Sequence, residues 1–414
     1  MIRYNNCKCP IKFLLITTGL ILASLFTGCS SGNKITGAYK SGNYPNLFNS
    51  LLSKSDAEIK TKLGYAFNQL FYGNDSTERI YYPVGNDMAY LEDILHKDVR
   101  SEGMSYGLMI TVQLDKKTEF DKLWKWMKTY MQFKEGESKN YFAWQMYTDG
   151  RIMDSTSAPD GEEWTVMALL FASSRWGDGE GIFNYKKEAL TLLNEMYEKD
   201  DRGFRIKSMF NRKEKQVVFV PEPQANFFTD PSYHLPHFYE LWGRYAYKYN
   251  QFWQDAADTS RSFLKKTVHP VTGLAPDYSH FDGKPYSTKW NPGAANFQYD
   301  AWRVAMNVAV DYIWFKKDDW AVTQSNRLLN FFEKTGIKTY GNLFTLDGKQ
   351  LTVDRSLGLI SMNAVAALAS TNENRKLFVE ELWNADVPTG QYRYYDSALY
   401  MLGMLQVSGN FRIY

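Results

Sequence analysis

Two kinds of helical stretch alternate along this chain, and the alternation limits its possible folds more than any other feature. Five stretches are apolar on most sides, and they lie near residues 101, 162, 300, 357 and 396. Five others carry Lys and Glu on one face, and they lie near residues 118, 184, 252, 319 and 373. A helix that is apolar all round is buried, whereas an amphipathic helix covers a core. The alternation therefore predicts an inner ring of helices wrapped by an outer ring.

Twelve helices are predicted in all. The first follows the capping box Ser55-Asp56-Ala57-Glu58. The others are expected at 101–114, 118–133, 162–174, 184–198, 236–249, 252–266, 300–316, 319–334, 357–370, 373–383 and 396–406. We predict an all-α fold, an (α/α)6 barrel of six inner and six outer helices in which the first helix pairs with the last. One domain should cover residues 46–414. The Tyr-rich 236–249 stretch fits the inner ring least well, and the strand-like run Gln216 to Val220 should lie in a loop.

Residues 1–28 have the pattern of a lipoprotein signal peptide. Basic residues accompany an apolar segment over 11–26 that is short for a spanning helix. Cys29 follows small residues, as at the site where bacterial lipoproteins are cleaved and acylated; an uncleaved N-terminal anchor is the alternative. Residues 29–45 are rich in Gly, Ser and Asn and are expected to form a flexible tether. Both readings predict an exported bacterial protein, periplasmic or on the cell surface, with Cys29 as lipid anchor in the first.

Charge and cysteine content exclude several classes of protein. The 48 basic and 46 acidic residues give net +2, and removing the three basic residues of the signal leaves −1. That balance argues against a nucleic-acid partner. Cys7 and Cys9 leave with the signal, so the domain would have no cysteine nucleophile, no cysteine–zinc site and no disulfide. His234 and His237 have no third ligand nearby, so we expect no metal and no cofactor. We also expect a monomer.

Acidic residues interrupt the apolar pattern at the starts of predicted inner helices. Glu102 begins the second helix, Asp160 precedes the fourth and Asp300 begins the eighth. If the inner helices are parallel, their N-termini open on one rim and the three carboxylates meet in one cleft. Helix capping and the helix dipole are the alternative explanation for each. Two carboxylates in such a cleft suit glycoside hydrolysis, where one is kept protonated and the other ionised.

Aromatic residues make up 16% of the chain, an excess that suits binding of sugar rings by stacking. Those predicted to contact substrate are Trp144, Tyr233, Tyr299, Trp383 and Tyr395. Each also has a simpler explanation as a core residue. Burial beside Met104, Tyr106 and Leu108 would favour a raised pKa for Glu102. The helix dipole would oppose it.

Five runs of the sequence resemble glycoside hydrolase family 8. In chain order they are RSEGMSYG, APDGEEW, DPSYHLP, YDAWR and YYDSALYMLGMLQVSGNFR, and the resemblance covers about 81–414. It implies an (α/α)6 barrel and hydrolysis with inversion. It also implies Glu102 as general acid, Asp300 as general base and Asp160 as a residue that binds and distorts the sugar at the cleavage point. Arg303 and Tyr233 match positions near the base and its water.

Within the family, the chain most resembles the branch of reducing-end xylose-releasing exo-oligoxylanases and xylanases. The implied reaction is cleavage of β-1,4-xylosidic bonds in xylo-oligosaccharides or xylan, with xylose released from the reducing end. In that branch a His-bearing loop closes the cleft, but here the segment 353–358 reads VDRSLG. Either Arg355 takes that role or the cleft is open and cleavage is internal. A β-glucanase or chitosanase of the same family and a non-catalytic glycan-binding lipoprotein are the other hypotheses.

Overall fold

The computed structural model describes residues 36–414, which form one compact unit. The predicted signal peptide and Cys29 lie outside the described residues. The α-helices are α1 Ala38–Ser41, α2 Leu47–Leu52, α3 Asp56–Tyr72, α4 Ser101–Gln113, α5 Lys117–Trp126, α6 Pro159–Trp176, α7 Tyr185–Glu198, α8 Pro236–Tyr245, α9 Asn250–Thr267, α10 Arg303–Phe315, α11 Trp320–Thr335, α12 Leu357–Ala366, α13 Arg375–Asn384 and α14 Arg393–Val407. The strands are β1 Tyr81–Val84, β2 Met88–Leu91, β3 Asp98–Arg100, β4 Gln145–Tyr147, β5 Ile152–Asp154, β6 Phe210–Asn211 and β7 Gln216–Val217.

Twelve of these helices form the two predicted rings. The inner helices are α4, α6, α8, α10, α12 and α14, and nearly all their residues are buried. The outer helices bury one face each, and they are α3, α5, α7, α9, α11 and α13. Helix α14 packs on α4 and closes the inner ring, while α3 packs on α14. The (α/α)6 barrel prediction is confirmed, including the pairing of the first predicted helix with the last.

Helix α8 belongs to the inner ring although its sequence is rich in polar aromatic residues. Its tyrosine Tyr239 is fully buried because the hydroxyl donates to the Tyr233 carbonyl oxygen at 3.0 Å and is also bonded to the Glu163 carboxyl group. Satisfying the hydroxyl removes the main energetic penalty of burying a tyrosine. The helix ends at Tyr245, four residues earlier than predicted.

Residues 36–45 are ordered against the barrel, so the flexible tether predicted over 29–45 does not extend through them. Helix α1 packs on α10. A Cβ atom on Gly37 would lie 2.2 Å from the carbonyl oxygen of Trp314, so only glycine allows this approach. The Tyr44 hydroxyl accepts a hydrogen bond from the Ile413 amide at 3.0 Å. Since Trp314 is near the C-terminus of α10 and Ile413 follows α14, residues 36–45 lie at the barrel end opposite the inner-helix N-termini.

Short strands lie in the loops between helices. Strands β3, β4 and β5 form an antiparallel sheet, and β3 runs directly into the first residue of α4. Strand β7 pairs with β6 inside a loop, as predicted for the 216–220 run. Within residues 36–414, no helix combines the length and apolar character needed to cross a bilayer.

Candidate active site

Three carboxylates lie at one rim of the barrel, where the inner helices begin. Glu102 and Asp160 are in the first turns of α4 and α6. Asp300 is in a 3-10 turn, Tyr299–Trp302, that leads into α10. The sequence predicted one continuous helix from 300, whereas the structure has this tighter turn before α10 begins at Arg303. The turn matters because it brings the side chains of Asp300 and Arg303 together at the rim.

The guanidinium group of Arg303 joins the three carboxylates. Its Nη1 atom donates to Glu102 Oε2 at 2.8 Å and to Asp160 Oδ2 at 2.9 Å, and its Nη2 atom donates to Asp300 Oδ1 at 2.9 Å. Nη1 also donates to the Tyr106 hydroxyl. Arg303 is only 2% exposed, so these charge-assisted bonds form away from bulk water. The rigid fork of donors suits this role better than a lysine ammonium would.

The two helix starts approach each other closely because small residues line the contact. A Cβ on Gly161 would lie 2.5 Å from Ser101 Oγ, and a Cβ on Gly103 would lie 2.0 Å from the Tyr394 hydroxyl. Larger residues at either position would push α4 away from its neighbours. The glycines therefore set the spacing between Glu102, Asp160 and the ring of Tyr394.

Glu102 has the ionisation behaviour of a general acid. Burial raises its pKa to about 8; the positive charge of Arg303 opposes this, and the charges of Asp160 and Asp300 add to it. Desolvation therefore outweighs the nearby cation. Burial likewise raises the pKa of Asp160, again opposed by Arg303. The Asp160 side chain is 5% exposed and that of Asp300 is 31% exposed, so Asp300 is the carboxylate most open to water.

The raised pKa predicts a specific pH dependence. Because Glu102 must carry a proton to act as an acid, kcat/KM should fall as pH rises through about 8. Asp160→Asn removes a negative charge that raises the Glu102 pKa, so the alkaline limb of its residual activity should move to lower pH. Initial rates across pH 5–10 for both proteins test this. An alkaline limb at the same pH in both would contradict the electrostatic account.

Four of the five predicted aromatic contacts lie around these carboxylates. The Tyr233 ring lies 5.8 Å from the guanidinium carbon of Arg303. Trp302 packs against Tyr299 and Tyr395, with ring centroids 5.6 and 5.9 Å apart. Tyr299 is 51% exposed, which leaves its ring free for a ligand. The Trp144 carbonyl oxygen accepts from the Ser101 amide at 2.9 Å, which fixes Trp144 beside the start of α4.

Trp383 is not placed with this group. It lies near the end of outer helix α13, where its ring packs edge-on against Phe48 at 5.0 Å. The ammonium groups of Lys54 and Lys62 lie 5.0 and 5.6 Å from the ring centroid. These contacts show that Trp383 packs between helices. The prediction that Trp383 contacts the substrate is therefore wrong.

Asp277 contacts the turn that carries Asp300, and it was not among the site residues predicted from the sequence. Its buried carboxylate accepts from the Ala301 amide at 3.0 Å and from Gln298 Nε2 at 2.6 Å. Those two residues flank Asp300, so Asp277 holds the turn that presents the predicted base. No periodic pattern marks Asp277, because it lies in a loop and acts on a segment more than twenty positions away.

Removal of the Asp277 carboxylate should lower kcat more than it changes KM. We expect Asp277→Ala to lower kcat at least tenfold, because the Ala301 amide loses its acceptor and Asp300 loses its fixed position. Asp277→Asn keeps an oxygen for that amide and should recover most of the rate. Steady-state kinetics and urea unfolding of both variants test this. Equal stability losses with kcat unchanged would indicate a purely structural role.

The two histidines considered as metal ligands are core residues. His234 is bonded to Ser260 Oγ at 2.9 Å and Thr229 Oγ1 at 3.1 Å, and His237 packs edge-on against Trp314. Burial lowers both pKa values to about 3, so both rings are neutral. Among the residues described, no three His, Cys, Asp or Glu side chains are grouped so that they could hold a metal ion.

This (α/α)6 barrel has a carboxyl group of raised pKa and a second, more exposed carboxylate at an aromatic rim, the pair of groups that glycoside hydrolases use. Residues 93–409 match the family model described as Glycosyl hydrolases family 8. The chain belongs to this family.

Relatives and solved structures agree with that membership. The chain is 45% identical over 381 residues to the reducing-end xylose-releasing exo-oligoxylanase Rex8A of Paenibacillus barcinonensis, covering 91% of this chain and 98% of the relative. It is 42% identical over 384 residues to a reducing-end xylose-releasing exo-oligoxylanase of Halalkalibacterium halodurans, covering 91% and 96%. A catalytic mutant of a family 8 xylanase from Teredinibacter turnerae, in complex with xylohexaose, superposes with a TM-score of 0.87 at 46% identity, covering 91% and 99%.

Proposed function

We propose that this protein hydrolyses β-1,4-xylosidic bonds in xylo-oligosaccharides or xylan with inversion, releasing xylose from the reducing end. The observation that carries the proposal is the arrangement of Glu102, Asp160 and Asp300 around Arg303. The substrate assignment is supported by three relatives above 40% identity that are named for, or bound to, xylose oligomers.

Glu102 acts as the acid and Asp300 as the base, each through the carboxyl oxygen that Arg303 does not bind. Arg303 occupies Glu102 Oε2, so Oε1 carries the proton that passes to the leaving glycosidic oxygen. Arg303 also occupies Asp300 Oδ1, so Oδ2 accepts a proton from a water molecule. That water attacks the anomeric carbon from the face opposite the leaving group, which inverts its configuration. The two carboxyl groups are bound by different nitrogen atoms of one guanidinium group, Nη1 for Glu102 and Nη2 for Asp300.

Asp160 binds the sugar at the cleavage point in this mechanism. Its Oδ1 accepts from the Gly161 amide at 2.9 Å and its Oδ2 accepts from Arg303, so the carboxylate is fixed before substrate arrives. A fixed acceptor can bind a sugar hydroxyl most tightly in the distorted ring of the transition state.

Reducing-end release requires the cleft to be closed beyond the leaving xylose. Arg355 is a poor candidate for this, since its Nη2 donates to Glu381 Oε1 at 2.6 Å and its Nη1 donates to the Ile337 carbonyl oxygen. The preceding residues are better placed. Val353 is 81% exposed, and its segment ends at Ser356, which caps α12 at the catalytic rim. We assign the closing role to the segment 351–354.

Product analysis with xylohexaose tests the proposal. We expect xylose and xylopentaose to appear first, and proton NMR should show the new reducing end as the α-anomer. Reduction of the terminal xylose to xylitol should slow the reaction, since the site then lacks its pyranose ring. Early xylobiose and xylotriose would establish internal cleavage instead. Faster hydrolysis of cellohexaose or chitosan would favour the glucanase or chitosanase alternative.

We also propose that the protein is an exported lipoprotein anchored through Cys29, and that it acts as a monomer. The charged start, apolar segment and cysteine of residues 1–29 support this. Labelling with a radioactive fatty acid and membrane fractionation of Cys29→Ser test it. Equal membrane association of the variant would contradict the lipid anchor. Light scattering of the purified protein tests the oligomeric state.

A further inference from the structure

A cavity lies on the outer wall of the barrel, and none of the predicted site residues lines it. It has a volume of about 450 Å³, within the usual range of small-molecule sites. One wall is the loop at Val271 and Thr272. The other is a stripe along outer helix α11 that includes Thr323, Arg327 and Phe331. These helix positions are four residues apart, so their side chains project in the same direction.

Arg327 and Lys334 line this cavity, and neither has an acidic partner among the residues that the structure describes. None of the ion pairs formed within residues 36–414 involves Arg327 or Lys334, and Arg327 Nη1 donates to Gln324 Oε1 at 3.4 Å. By contrast, Lys338, three residues after the end of α11, lies 3.8 Å from a Glu381 oxygen. Two unpaired cations facing one cavity favour an anionic ligand, and a guanidinium group is suited to bind a carboxylate with two parallel hydrogen bonds.

The walls of the cavity are held in place before any ligand binds. Asn326 Oδ1 accepts from Ser370 Oγ at 2.7 Å and from the Thr371 amide at 2.9 Å. Thr272 Oγ1 donates to the Leu346 carbonyl oxygen at 2.7 Å. The Phe331 ring packs edge-on against Phe344 and is only partly buried. A preorganised wall reduces the ordering that binding requires.

We propose that this cavity is a second carbohydrate site that binds an acidic pyranose, a hexuronic acid carried as a side group on a β-1,4-linked xylose chain. In this proposal Arg327 and Lys334 bind the carboxylate of the ligand. The apolar face of the pyranose ring lies on Phe331. Thr323 and Asn330 also line the cavity, and they bind hydroxyl groups of the sugar. The choice of a xylose chain rests on the proposed function. Such a site holds a decorated polymer at the enzyme without occupying the cleft, which raises the local concentration of cleavable bonds.

Calorimetric titration of the full-length protein carrying Glu102→Gln tests this, since blocked hydrolysis keeps the ligands intact. The probes are xylotetraose, xylotetraose bearing one glucuronic acid, and free glucuronate. We expect one site for neutral xylotetraose and two for the acidic oligosaccharide. Adding Arg327→Ala and Lys334→Ala should weaken the second site at least tenfold. The matched control is Lys60→Ala with Lys187→Ala, two exposed lysines outside the cavity, which should leave both sites intact.

Two results would overturn the proposal. One is the same stoichiometry and affinity for the acidic oligosaccharide with and without the cavity cations. The other is inorganic phosphate displacing free glucuronate at equal concentration, which would indicate a general anion site. Hydrolysis of xylohexaose by the cavity variant with Glu102 intact should stay within twofold of the unaltered protein. If the unaltered protein fails to cleave xylohexaose, the proposed function fails while the binding result stands by itself.

Discussion

Glu102→Gln should lower kcat on xylo-oligosaccharides by about 10²–10⁴-fold, the range associated with loss of a general acid. Gln has nearly the same shape and keeps an oxygen for Arg303, so KM should change little. The fold should also be retained, because a neutral amide replaces a group whose pKa is already raised to about 8 by burial. Asp300→Asn should cause a loss of similar size by removing the group that accepts the proton of water.

A substrate whose leaving group needs no proton distinguishes the role of Glu102 from that of Asp300. Fluoride departs without a proton, so β-xylobiosyl fluoride should restore much of the rate to Glu102→Gln. The same substrate should not restore Asp300→Asn, because activation of water is still required. Rate measurements on xylohexaose and the fluoride for both variants test this assignment. Restoration of both variants, or of neither, would show that the acid and base are wrongly assigned.

Arg303→Ala should affect stability and activity together. Removing one partner of a buried ion pair typically costs about 3–5 kcal/mol, because the remaining charge is left without compensation. Here Asp160 and Asp300 lose their cation, and Glu102, which is mostly protonated at pH 7, loses a hydrogen-bond donor. We therefore expect the free energy of unfolding to fall by about that amount at pH 7 and kcat to fall at least 10²-fold. Urea unfolding and steady-state kinetics at pH 7 measure both.

Lysine at the same position distinguishes charge from geometry. Arg303→Lys keeps the positive charge, so part of the lost stability should return. A single ammonium group cannot reproduce the planar fork that reaches three carboxylates, so kcat should stay at least tenfold low. The loss of the cation in Arg303→Ala should also raise the Glu102 pKa further, moving the alkaline limb to higher pH. Full activity in Arg303→Lys would show that charge alone suffices.

The ring architecture could be predicted from the sequence because burial leaves a direct mark on composition. A run such as Thr165 to Ser173 has no polar face and can only be an inner helix. Glu102, Asp160 and Asp300 were found for the same reason, since each interrupts an apolar pattern at a helix start. The roles proposed for them, as acid, sugar-binding residue and base, come from the resemblance to family 8.

Other parts of the site leave no such mark. Asp277 acts across a loop, and no spacing rule links it to Ala301. Arg303 was marked only as a position near the base, while its bonds to three carboxylates depend on the 3-10 turn that precedes α10. Trp383 shows the opposite error, because an aromatic residue near the end of a helix has the same sequence pattern whether it meets a sugar or packs against Phe48. Side-chain direction at loops and helix ends is set by tertiary contacts.

The packing of residues 36–45 against Trp314 and Ile413 provides a point of attachment for the enzyme. Both described ends of the chain emerge on the same face, and the catalytic rim is on the other. A bead, electrode or partner domain coupled ahead of residue 36 would therefore lie at the barrel end opposite the catalytic rim and would not block the cleft. Enzyme immobilised through that end should keep the kcat of free enzyme on short oligosaccharides, whereas coupling through a cysteine introduced at Val353 should obstruct the cleft.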